Sequence, residues 1–214
     1  MKTPILGSAY VASTVNAAAN KLINMYPEAI PEGGKMPAFL TRCPGLRKVL
    51  SVGTGPCKGM RRVGDYLYVI SGNVLYKIAK DYTYKSVGSI LGNGLYSLTD
   101  NGTQLLISCN PNAYIYTIDT EELTRITDED YPGSIVVDYI DSYFVVLPPN
   151  SQRFYISDIY DGTTWDALDF ASAEGLPDNL VTICVDHREL WLFGVDSTEV
   201  WSNTGGTFPF CRIS

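Results

Sequence analysis

The sequence predicts an all-β chain: a β-propeller-like array of about four short-strand blades, preceded by an extended, proline-rich N-terminal arm. Three observations lead there. Tyr (15), Gly (19) and Pro (12) are plentiful among the 214 residues, a balance that favours strands and turns over helices. Pro4, Pro27, Pro31, Pro37, Pro44 and Pro56 crowd the first stretch of chain. From about residue 57 onward, four hairpin-like units can be laid over one another.

The arm spans residues 1–55 and the array residues 56–214. Proline at this density forbids long helices and central strands, because each one removes a backbone donor and fixes φ. Only Thr14 to Met25, capped by Ser13 or Thr14, has the pattern of a short helix. Lys2, Ile5-Leu6 and Ala17-Ala18-Ala19 faintly resemble a signal peptide, but Gly7, Ser8, Ser13 and Asn16 break the apolar run, so the N-terminus is expected to be part of the mature chain.

The first unit runs from Gly64-Asp65 through Tyr66–Ile70, a turn at Ser71-Gly72-Asn73, and Val74–Ile78. The second runs from Asn101-Gly102 through Leu105–Ile107, a turn at Asn110-Pro111-Asn112, and Tyr114–Ile118. The third places Tyr143–Leu147 and Phe154–Ile156 about Pro148-Pro149-Asn150, and the fourth places Leu190–Phe193 and Val200-Trp201 about Asp196-Ser197. From Asp65 to Gly102 to Asp141 to His187 the steps are 37, 39 and 46 residues. Such a period, with two obvious strands per unit, fits a propeller blade whose other two strands are weaker in sequence. The mixed apolar runs suit inner strands buried on both faces between blades. Ser134–Val137 and Leu180–Val185 supply first strands of their blades. A stack of hairpins in a sandwich is the competing architecture. An unclosed array would leave unpaired edges, so further chain is expected after Ser214.

Charge and cysteines bound the function. A net charge of −7 argues against holding nucleic acid by neutralising phosphates, so no tight specific DNA binding is expected. The longest uncharged apolar runs are far too short to cross a bilayer, and no membrane contact is expected. The five cysteines have no metal-type spacing and read as reduced, buried thiols of a protein assembled in a cytoplasm. No cofactor or metal is expected.

Chemistry is sparse. The single histidine, His187, lies at a predicted turn between Asp186 and Arg188 with no nucleophile to serve. No G-x-S-x-G, P-loop or H-E-x-x-H motif occurs. Ser157-Asp158-Ile159-Tyr160-Asp161-Gly162-Thr163-Thr164-Trp165 is close to the Asp-box turn of sialidase-like propellers, one residue short between Asp and Thr. In that turn Asp caps amides, Gly permits positive φ and Trp packs between strands, so it argues for a β-turn more than for hydrolysis. Glu121-Glu122 and Asp128-Glu129-Asp130 read as solvated loops without the alternate-residue spacing of a calcium site. A glycan-binding or glycan-hydrolysing propeller is the alternative; it needs several convergent arginines, and the eight present are scattered in sequence. A WD-repeat scaffold lacks its G-H…W-D pattern, since no G-H dipeptide occurs.

The arm carries Val15-Asn16, Asn24-Met25-Tyr26-Pro27-Glu28, Gly34-Lys35, Leu40 and Pro44-Gly45-Leu46. Downstream come Arg153–Asp158, Ala171–Glu174 with Pro177-Asp178, and Glu189–Gly194 leading to Ser197-Thr198-Glu199-Val200-Trp201. In this order the segments resemble the N-terminal half of the packaged-DNA stabilisation proteins, also called tail accessory or hub proteins, of short-tailed bacteriophages. The resemblance implies a virion protein without catalysis, assembled in the host bacterial cytoplasm. It implies rings of copies, hexameric in the family, below the portal and its adaptor. Such rings extend the DNA channel, help retain packaged DNA, and carry tail fibres or spikes and a needle or plug. On this reading the arm residues expected to contact partners are Asn16, Met25, Tyr26, Pro27, Phe39 and Leu46.

Overall fold

The computed structural model describes residues 23–30, 38–92, 94–176 and 178–213. The chain divides into two compact units, Met1–Val49 and Leu50–Ser214.

In the first unit, β1 (Met25–Ala29) pairs antiparallel with β2 (Ala38–Arg42), with Tyr26 opposite Thr41 and Pro27 opposite Leu40. The described part of the arm consists of two extended strands that pair as a hairpin. Both strands are edges, so Pro27 sits where its missing N–H costs no second ladder, which is where a strand tolerates proline. Of the expected helix, residues 14–22 lie outside the described residues, and its last residue, Met25, opens a strand instead.

The second unit is four consecutive antiparallel meanders, each a four-stranded blade. Blade 1 comprises β3 (Cys57–Val63), β4 (Tyr66–Ser71), β5 (Val74–Ile78) and β6 (Tyr84–Ser89). Blade 2 comprises β7 (Ser97–Asp100), β8 (Gln104–Cys109), β9 (Asn112–Thr117) and β10 (Glu122–Arg125). Blade 3 comprises β11 (Val136–Ile140), β12 (Tyr143–Leu147), β13 (Arg153–Asp158) and the long β14 (Asp161–Ser172). Blade 4 comprises β15 (Leu180–Asp186), β16 (Glu189–Gly194), β17 (Thr198–Asn203) and β18 (Phe210–Arg212). First strands touch in series, β3 to β7, β7 to β11 and β11 to β15. Among the described residues, no comparable contact joins β15 back to β3.

The apolar runs now have a reason. Side chains alternate across a strand, so a blade between two others needs apolar residues at every position. In β8, Leu105 and Ile107 join Tyr68, Ile70 and Leu75 of blade 1, while Leu106 turns to Phe144 and Val146 of blade 3. In β12 the next residues along, Val145 and Leu147, face Leu190 and Leu192 of blade 4. Three interblade cores thus replace one central core.

Charged groups span the same seams. Arg61 of blade 1 meets Asp100 of blade 2 at 2.7 Å, and Arg188 of blade 4 meets Asp141 of blade 3 at 3.0 Å. Asp138 of blade 3 accepts the Val185 amide of blade 4 at 2.9 Å. Glu121 lies between Lys77, at 2.7 Å, and Lys85, at 2.5 Å.

The cysteine expectation is half corrected. All five thiols are free, but only Cys109 is buried; Cys43, Cys57, Cys184 and Cys211 are exposed. Cys184 follows Ile183, so strand alternation that sends Ile183 into the core sends Cys184 out.

Candidate functional site

Among the described residues the chemistry-bearing side chains fall into separate pairs. His187 sits in the β15–β16 turn with positive φ, 89% exposed, and its Nδ1 lies 2.8 Å from Asp186. That hydrogen bond, and then the charge of Asp186, raise its pKa. Arg61, Arg188 and Arg212 each bind a different carboxylate, Asp100, Asp141 and Glu199 respectively. Among the described residues no group of three His, Cys, Asp or Glu could hold a metal ion, and no helix is long and apolar enough to cross a membrane.

The Asp-box-like turn is architectural. Asp161 accepts from the Thr163 amide at 2.9 Å, the Thr163 hydroxyl at 2.7 Å and the Thr164 hydroxyl at 3.0 Å. Burial pushes its carboxyl up, but these bonds and one from Gln104 outweigh that and hold it below the usual carboxylate range. Trp165 is buried between blades 2 and 3 and donates to the Gly162 carbonyl at 2.9 Å. Gly162 is not needed for a positive φ, which falls on Tyr160 instead. It is needed for space: a Cβ there would lie 2.6 Å from Ile115 Cδ1 and 3.0 Å from Phe144. Two acids of the acidic loops are likewise partnered. Asp128 accepts the amides of Asp130 and Trp165, and Glu121 ties blade 2 to two lysines of blade 1.

The residues expected to bind partners lie open. Met25, Tyr26, Pro27 and Phe39 are on the hairpin and Leu46 follows it, all exposed, with Leu46 fully so at 104%. Asn16 lies outside the described residues. The register shows what the sequence alone did not. Opposed residues share a face, so Met25, Pro27 and Ala29 line up with Ala38, Leu40 and Arg42 in one apolar stripe ending in a cation. Tyr26 and Phe39 take the other face with the Thr41–Glu28 hydrogen bond of 3.0 Å.

Strand β14 carries a second feature that spacing did not reveal. Tyr155 pairs with Phe170 but Ser157 with Trp165, so residues 166–169 bulge opposite the single residue Ile156. The bulge is closed by the Leu168 amide donating to Asp166 at 2.8 Å. It presents Leu168, 80% exposed, between Asp166 and Asp169. Burial first, then the charges of Asp166 and Asp158, raise the Asp169 carboxyl.

Charge is strongly segregated along the chain. Residues 1–49 hold six Lys and Arg against two Glu, and blade 1 holds six against Asp65 and Asp81, a net +4 for each. Residues 90–214 hold four Arg against nineteen Asp and Glu, a net −15.

The family described as "Bacteriophage P22 Gp10, beta-propeller", of phage stabilisation proteins, matches residues 1–214. The chain belongs to that family. Membership gives it a structural role in a phage and agrees with the four-stranded blades seen here. No curated protein matches it. Among solved structures it is similar to Hsv2 of Kluyveromyces lactis, with 10% identity and TM-score 0.53 over 81% of this chain and 54% of that one. The Pan2 WD40 domain of Neurospora crassa gives 7% and 0.52 over 81% and 58%. BamB from Moraxella catarrhalis gives 17% and 0.52 over 67% and 42%. These likenesses concern the fold, and the phage chain spans about half the length of each of these structures.

Proposed function

We propose that this stabilisation protein is a non-enzymatic ring component of the virion tail, seated below the portal and its adaptor. Copies join, as a hexamer, extend the DNA channel, help retain packaged DNA, and support fibres or spikes and a needle or plug. The observation that carries the reading is the family match over the whole chain. The hairpin supports it, because Met25, Tyr26, Phe39 and Leu40 leave apolar surface exposed that a neighbour can cover. Proline stiffening lowers the entropy lost when such an arm is ordered.

Retention on this reading is mechanical. A surface carrying −15 over blades 2–4 repels phosphates, so DNA slides past without sticking while the ring narrows the exit. Deleting residues 1–40 tests the arm's part: docking to the portal–adaptor assembly is lost while the β-rich circular dichroism of the blades persists. Unchanged docking contradicts it.

A further inference from the structure

We propose that the outer edge of β14 in blade 3 receives the N-terminal arm of a second copy of this chain. The proposal rests on the ring reading above and names the surface that one copy offers the next. Three observations meet at it.

First, β14 is the last strand of its sheet, and over residues 166–172 its outer side pairs with no other strand among the described residues. The regular part of that edge, Phe170 to Ser172, is a short template for an added strand beside the bulge. The arm supplies two short strands, β1 and β2, whose outer edges pair with no other strand among the described residues.

Second, charge is complementary. Blade 3 from residue 136 to 172 holds six Asp against Arg153, a net −5, while residues 1–49 carry +4. Asp166 and Asp169 lie in the bulge, and Asp158 follows Ser157, which faces Trp165 at the start of it. The blade's own Arg153 is held over the Phe170 ring at 4.3 Å and joins no ion pair among the described residues. Arg42, Arg47 and Lys48 are exposed and also absent from those ion pairs. Clustered like charges cost free energy until an opposite charge arrives, and they steer that partner's approach.

Third, apolar surface is offered by both sides. Leu168 projects from the bulge, and the hairpin's stripe of Met25, Pro27 and Leu40 ends at Arg42. Docking would cover the leucine with that stripe while the cations reach the aspartates. Polarity of this kind, with one patch fitting a different patch, generates a ring when the rotation closes.

Sedimentation velocity on the full chain, with circular dichroism as the folding control, tests the pairing. Asp166→Lys with Asp169→Lys makes an edge-reversed chain; Arg42→Glu, Arg47→Glu and Lys48→Glu make an arm-reversed chain. Each alone is expected to associate on the order of tenfold or more weakly than the natural chain. An equimolar mixture is expected to regain association, because each variant's arm then meets an opposite edge. Reversals without effect, or a mixture that stays dissociated, overturn the proposal while leaving self-association itself intact. A natural chain that remains monomeric at every concentration overturns the proposal and the ring reading together.

Discussion

At the scale of single residues, the interblade seams decide stability. Gly162 sits against Ile115 and Phe144, so Gly162→Val has to push a side chain into a filled seam. Overpacking of this kind costs about 1–3 kcal/mol, and a urea midpoint lowered accordingly is the expected result. Glu121 gives a pH signature. Hydrogen bonds from Lys77 first and then Lys85 hold its carboxyl down at about 2, against an ordinary 4.5. A carboxyl depressed by folding stabilises above its unfolded pKa, and that contribution is lost as pH falls through the folded one. The link is therefore complete at neutral pH and fades between about 4.5 and about 2. In Lys77→Met the Glu121 carboxyl is expected to titrate at higher pH by carbon-detected NMR; an unmoved midpoint contradicts the assignment of the pair.

At the scale of elements, the blades' second and third strands were legible in the sequence and the outer strands were not. Leu105-Leu106-Ile107 is apolar at every position because neighbouring blades bury both of its faces. The outermost strands β6 and β10 are mostly exposed, so Tyr84–Ser89 and Glu122–Arg125 carry no such run. The first strands Val136–Ile140 and Leu180–Asp186 lie close to where their apolar residues placed them. The hairpin of the arm was hidden by Pro27, which argues against strands in general but not against an edge strand. The bulge of β14 was hidden because it depends on pairing register, not on spacing. Phe144, fully buried between blades 2 and 3, is the element-scale test of the seam. Phe144→Ala is expected to cost about 3–5 kcal/mol, read as a shift in the denaturation midpoint, and a negligible shift contradicts seam-by-seam stabilisation.

At the scale of the whole molecule, charge is divided between a basic beginning and an acidic remainder. Net −7 conceals +8 over residues 1–89 and −15 over the rest. Opposite charges on the two parts can attract the beginning of one copy to the remainder of another, as the proposed ring requires. Fluorescence anisotropy with duplex DNA at physiological salt is expected to show no salt-sensitive binding near micromolar concentration; clear binding there contradicts mechanical retention. The most direct test is the DNA content of phage particles assembled without this protein. The account predicts particles that package their genome and then lose it, with retention restored when the chain is supplied. Particles that lack the protein yet keep a full genome would contradict it.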